Sequence, residues 1–88
     1  MVLTDVFKNV NVLEYIGATD IQVTGINIDS RLVKKGDLFV AVCGTQTDGH
    51  QYIPMAIKQG AVAIACQKIP EDRPADVTFI KLASSVSA

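Results

Sequence analysis

Two short polar clusters carry the side chains of this 88-residue sequence that could do chemistry. Asp29-Ser30-Arg31 sets a carboxylate, a hydroxyl and a guanidinium side by side, and Lys34 and Lys35 follow closely. A hydroxyl beside a guanidinium suits a phosphate or a polar ring, because the planar guanidinium donates parallel hydrogen bonds. The same residues equally suit a capped turn, with Asp29 and Ser30 bonding nearby N–H groups and Arg31 in solvent. The second cluster, Gly44-Thr45-Gln46-Thr47-Asp48-Gly49-His50, offers hydroxyls, an amide and turn-forming glycines. Its Gly44–Gly49 spacing matches the opening of a phosphate-binding P-loop. However, His50 and Gln51 stand where such a loop needs Lys followed by Ser or Thr. Nucleotide hydrolysis is therefore not expected of this cluster, although its hydroxyls and backbone can still hold a ligand. His50 is the only histidine and has no partnered Ser or Cys, so packing or capping is its simplest role. Asp48 before Gly49 suits a turn or a helix cap.

These clusters need elements to position them. Val2 to Val10 places apolar residues at i, i+3 and i+4 spacing and predicts an amphipathic helix, with Thr4 or Asp5 capping its first turn. Val12 to Ile16 predicts an edge strand closed by Gly17. Val23, Ile26 and Ile28 are strand formers interrupted by Gly25, which points to a bulge or two short strands before the Asp29 cluster. Leu32 and Val33 suit one helical turn, and Lys34-Lys35-Gly36-Asp37 reads as a plain turn. Leu38 to Cys43 is a continuous apolar run, the pattern of a strand buried on both faces, and it ends at Gly44. Gln51 to Gln59 predicts a helix with Ile53, Ala56 and Ile57 turned inward, Pro54 in its first turn and Gly60 just past its end. Ala61 to Cys66 predicts a second buried strand, parallel to the first because helix and glycine leave no room for a hairpin. Gln67 to Asp76 predicts an exposed loop, and Val77 to Leu82 a last strand. The sum is an α/β domain, a small mixed sheet with helices packed against it, and residues 1–88 make one domain. Both polar clusters then follow strands, and open α/β sheets bind ligands at the carboxyl ends of their strands.

Composition narrows the function classes. Apolar residues make up 49% of the chain, which argues against disorder. Eight basic against nine acidic residues give a net charge of −1 and no bulk attraction for nucleic acid or membrane. The aromatic residues are too scattered for a stacking platform. No apolar run is long enough to span a membrane, and the first residues lack the pattern of a signal peptide. Cys43 and Cys66 lie in separate apolar runs and suit buried, reduced thiols of a cytoplasmic protein. Two distant cysteines and one histidine do not make a metal site. The sequence ends just after its last strand, which suggests a domain of a longer protein.

The fragments share one further property. Val23-Thr24-Gly25-Ile26, Asp29-Ser30-Arg31, Gly36-Asp37-Leu38-Phe39-Val40-Ala41 with Gly44, Asp48-Gly49-His50, Ala56-Ile57 and Gly60-Ala61 occur in that order without large gaps. This pattern resembles the N-terminal domain of Mur ligases, and within the family it is most similar to the members that add the third residue of the peptide. The resemblance implies a three-domain cytoplasmic enzyme of peptidoglycan synthesis. Its N-terminal domain would hold the UDP moiety of UDP-N-acetylmuramoyl-L-alanyl-D-glutamate, and the missing domains would carry ATP, Mg²⁺ and the amino-acid site. The contacts it implies here fall on Ile28, Ser30, Thr45, Gln46 and Thr47. It implies that the 88-residue chain alone is inactive, binds neither ATP nor Mg²⁺, and has the other two domains and the UDP-linked muramoyl peptide as its partners. The third residue it implies is meso-diaminopimelate or L-lysine. Alternatives are the related ligase that adds D-Ala-D-Ala, and a non-catalytic α/β interaction module.

Overall fold

The computed structural model describes residues 1–41 and 49–83, with the side chains of Gly49 and His50 excepted. A five-stranded mixed sheet forms its centre, in the order β1-β5-β4-β3-β2. The strands are β1 (Val12–Ile16), β2 (Ile26–Asn27), β3 (Leu38–Val40), β4 (Ala63–Cys66) and β5 (Thr78–Leu82). Strands β2, β3, β4 and β5 run parallel, and β1 closes one edge antiparallel to β5. The predicted edge strand and the predicted parallel β-α-β unit are both present.

Side chains alternate across β3, β4 and β5, as the pleat requires, while the register of β1 shifts between Val12 and Glu14. Phe39, Ile64, Cys66 and Phe79 face one core cluster, which includes Ile53 and Ala56 of helix α2 (Ile53–Gln59). Leu38, Ala63, Ala65, Ile80 and Leu82 face the other, completed by Leu3, Phe7 and Val23. The sheet is thus covered on both faces, which explains the unbroken apolar runs of β3 and β4. Full burial of each Leu, Ile or Phe stabilises the fold by about 1.5–3 kcal/mol relative to exposure. Cys66 is buried in the first cluster, as expected; Cys43 lies outside the described residues.

The first helix is shorter than its spacing predicts. Only Leu3–Val6 (α1) is α-helical, and its N-cap is Val2, with no capping bond from a side chain. The backbone at the start is committed elsewhere: Leu3 donates to the Ile21 carbonyl at 2.9 Å, and Val23 to that of Met1 at 2.7 Å. These bonds flank a bridge between Val2 and Gln22. Three β-branched valines add little helix propensity with which to resist that pairing. Leu3 and Phe7 are nevertheless buried, as that spacing predicts, whereas Val10 at its far end is exposed.

Helix α2 follows the sequence closely. A 3-10 turn over Gly49–Tyr52 leads into it, Pro54 sits in its first turn, and Gly60 ends it at φ 114°. The Gly60 N–H closes the helix on the Ala56 and Ile57 carbonyls. A Cβ at Gly60 would lie 2.7 Å from Lys35 Cα, so this position excludes a side chain by contact as well as by conformation. Gly36 N–H donates to the Gly60 carbonyl at 2.9 Å, joining the turns that precede β3 and β4.

Candidate functional site

Strand β2 delivers the Asp29 cluster to the carboxyl edge of the sheet. A 3-10 turn, Ser30–Leu32, begins there, one residue or two earlier than the helical turn expected at Leu32 and Val33. Asp29 is its N-cap and accepts the Arg31 N–H at 2.9 Å. The Asp29 carboxylate also takes a forked pair from Arg31, Nε at 3.0 Å and one terminal nitrogen at 2.8 Å. That fork holds the Asp29 carboxyl down at about 2 and pushes the Arg31 guanidinium up. Both groups face water, so the pair adds little stability. Its importance is geometric: the Arg31 charge is already matched, and an anion would have to compete with Asp29 for it. The turn reading of Asp29 is therefore correct in its hydrogen bonds.

Ser30 behaves differently. Its side chain points inward and only 5% of the residue is exposed. The hydroxyl donates to the Met55 sulfur at 3.6 Å, and the residue lies in a hollow of about 560 Å³. Ile28, Asp29, Arg31, Tyr52 and Met55 form the rest of the lining. Ile28 is 71% exposed at its mouth, so an apolar face stands open beside a buried hydroxyl. Apolar surface from Ile28, Tyr52 and Met55 beside the Ser30 hydroxyl and the paired Asp29 and Arg31 suits a flat, polar-edged ring. A larger open hollow of about 1000 Å³ lies between α2 and residues 67–74, and neither Ile28 nor Ser30 is in its lining.

The structure thus brings together Ile28 and Ser30 of the expected contacts. Thr45, Gln46 and Thr47 lie outside the described residues, as do Gly44 and Asp48. Sequence reasoning missed Tyr52 and Met55. Their signal was present: they sit three apart where the α2 segment begins, while Ile53 and Ala56 take the inward face. An exposed Tyr and Met at that spacing make a second, outward apolar face.

Asp37 was also misread. It is not a plain turn residue but is 4% exposed, with three donors on its carboxylate. Thr24 Oγ1 donates to Oδ1 at 2.8 Å, and Asn27 Nδ2 and the Lys34 N–H donate to Oδ2 at 2.8 Å each. These bonds, the Lys34 N–H foremost, lower its pKa against the opposing effect of burial. A Cβ at Gly25 would press to 3.1 Å on Oδ1. Gly25 therefore breaks the strand pattern to admit a carboxylate; of the bulge or two short strands the sequence suggested, the structure has two short pieces, the Gln22 bridge and β2. Lys34 and Lys35 are exposed, as solvated lysines are.

Comparison with known proteins adds a decisive observation. A family model described as "Mur ligase family, catalytic domain" matches residues 22–86. The chain belongs to the Mur ligase family. This Mur ligase chain is 49% identical over 88 residues to a UDP-N-acetylmuramoyl-L-alanyl-D-glutamate–2,6-diaminopimelate ligase of Bacteroides thetaiotaomicron, covering all of this chain and 18% of that protein. It is 40% identical over 89 residues to the ligase of the same name from Cytophaga hutchinsonii, with the same coverage. Among solved structures it is similar to the MurF ligase of Thermotoga maritima in complex with ADP. There the TM-score is 0.59 and the identity 33%, over 68% of this chain and 13% of that one. A MurF structure from Acinetobacter baumannii shares the fold at a TM-score of 0.64 and 21% identity, over 72% of this chain and 13% of that one. The Mur ligase chain therefore spans about a fifth of the length of the curated relatives it matches. No helix among the described residues is long and apolar enough to cross a membrane.

Proposed function

We propose that this chain is the N-terminal, UDP-holding domain of a longer, cytoplasmic, three-domain Mur ligase that adds meso-diaminopimelate to UDP-N-acetylmuramoyl-L-alanyl-D-glutamate. The observation that carries this reading is identity of 49% along every residue of the chain to a relative named for that reaction. The hollow around Ser30 supports it. Ile28 offers an apolar face to the uracil ring, and the Ser30 hydroxyl, spent on a thioether, is available to a ring carbonyl. Thr45, Gln46 and Thr47 are proposed to take the diphosphate, largely through backbone N–H groups. Their segment is tethered at Ala41, the residue after β3, and at Gly49, where the turn leading to Tyr52 begins.

ATP and Mg²⁺ are proposed for the longer enzyme, where ATP activates the substrate carboxylate before the amine attacks. The residues present here do not fit either group. The Gly44–Gly49 spacing lacks the Lys and the Ser or Thr of a P-loop, and no cluster of three or more His, Cys, Asp or Glu occurs among the described residues. The role of this domain is to bind a remote part of the substrate, energy that the full enzyme uses to orient the reacting end.

A second reading, the ligase that adds D-Ala-D-Ala, is favoured by the 33% identity to the Thermotoga maritima MurF. Two measurements test both. Titrating the isotope-labelled chain with UDP is expected to move the signals of Ile28, Ser30, Tyr52 and Met55; shifts confined to other residues would refute the site. In the longer ligase, consumption of the muramoyl dipeptide with diaminopimelate supports the first reading, and consumption of the tripeptide with D-Ala-D-Ala the second.

A further inference from the structure

Asp37 reaches beyond its own turn. Its Oδ2 binds Asn27 Nδ2 on one side and the Lys34 N–H on the other, both at 2.8 Å. The same Asn27 Nδ2 also approaches the Leu32 carbonyl at 3.4 Å, the last carbonyl of the 3-10 turn. The turn at Lys34 is closed again by Asp37 N–H to the Lys34 carbonyl at 3.0 Å, and Val62 N–H pins the Asp37 carbonyl at 2.9 Å. One buried carboxylate therefore holds both ends of the segment from Asn27 to Lys34, and Ser30 lies inside that segment. Only an acceptor with two oxygens can take three donors from three directions at this point.

We propose that Asp37 is a positioning residue for the ligand hollow: its carboxylate, acting through Asn27 and Lys34, sets where the Ser30 hydroxyl stands. The proposal rests on the reading of that hollow as the UDP site. It makes a specific demand of the conservative variant. In Asp37→Asn the amide oxygen, placed at Oδ2, keeps Asn27 and Lys34. The amide nitrogen then faces Thr24 Oγ1, whose proton turns to the Lys35 carbonyl 3.3 Å away. Asp37→Ala instead leaves the Lys34 N–H without its acceptor, and leaves Thr24 and Asn27 only their longer bonds to the Lys35 and Leu32 carbonyls, at 3.3 and 3.4 Å. A residue that only stabilised the turn would lower the folded fraction and leave Ser30 where it is.

The test follows the Ser30 amide and Met55 methyl signals of the 88-residue chain, together with UDP affinity corrected for the folded fraction. Asp37→Ala is expected to displace both signals and weaken UDP binding by about tenfold, the loss of one charge-assisted bond's worth of order. Asp37→Asn is expected to stay within about threefold of the parent. Asn27→Ala cuts the link to Leu32 while leaving the carboxylate two donors, and serves if Asp37→Ala does not fold. Ile80→Val, on the opposite face of the sheet, is the comparator that loosens the core without moving either signal. Unmoved signals and unchanged affinity in Asp37→Ala, or in Asn27→Ala where that variant stands in, would overturn the proposal. If the parent chain fails to bind UDP, the site reading falls, and the displacement of Ser30 and Met55 still decides the role of Asp37.

Discussion

The Ser30 hydroxyl donates to the Met55 sulfur across 3.6 Å, so a buried hydroxyl is spent on a weak acceptor. Breaking that bond costs the folded chain little. Ser30→Ala is therefore expected to change stability by about 0.5 kcal/mol or less while weakening UDP binding by about 3–10-fold. Urea unfolding and ligand titration read the two effects separately. A stability loss above about 2 kcal/mol would make Ser30 a structural residue instead.

Gly60→Ala is expected to be among the most damaging single substitutions. It forces an L side chain into the left-handed region and sets its Cβ 2.7 Å from Lys35 Cα, a backbone atom that cannot move aside cheaply. A cost of about 2–4 kcal/mol is expected, measured as a fall in the denaturant midpoint at constant slope.

Acid stability should track Asp37. Its folded pKa lies below that of the unfolded chain, chiefly through the Lys34 N–H. The group therefore adds stability that is complete above the ordinary Asp value of about 3.9 and is lost as pH falls through the lower folded value. Asp37→Asn is expected to flatten the dependence of stability on pH below about 4. Asp29, although held at about 2, faces water beside Arg31, and Asp29→Asn should change the profile far less, least of all at high salt. Equal flattening by both variants would contradict this ranking.

Cys66 should be inert in the native chain. Burial pushes its thiol up to about 11, so little thiolate forms at neutral pH. Peptide mapping after treatment with a thiol reagent is expected to show Cys66 unlabelled in buffer and labelled in denaturant. Fast labelling of Cys66 in buffer would mean that the first core cluster opens readily.

Much of the fold was legible because β3, α2 and β4 carry strong, consistent signals. Pro54 and Gly60 mark the helix ends, and the apolar runs on either side can only be strands buried on both faces. The N-terminal helix was over-read because spacing reports which side chains are buried, and Leu3 and Phe7 are buried, but it does not report where the backbone finds its partners. Here the partners are Ile21 and Met1 with Val23, residues distant in sequence or at the chain start. Ser30 was set apart from its neighbours only by the family resemblance, because its residue type equally suits a capped turn. Asp37 was not set apart, because a carboxylate after Gly looks the same whether it faces water or collects donors from Thr24, Asn27 and Lys34. Tyr52 and Met55 were hidden for a related reason: sequence shows that they avoid the core, and only the approach of the Ser30–Leu32 turn to α2 reveals what they face instead.

The described glycines with positive φ, Gly17, Gly36 and Gly60, all sit where the parallel strands begin, opposite the edge that carries Ser30. The two edges of the sheet should therefore tolerate mutation very differently. A library randomised at Ile28, Tyr52 and Met55 should remain mostly folded and sample new ring-binding preferences. One randomised at the three glycines should mostly fail to fold. The domain divides into an edge that can be redesigned and an edge that must be inherited intact.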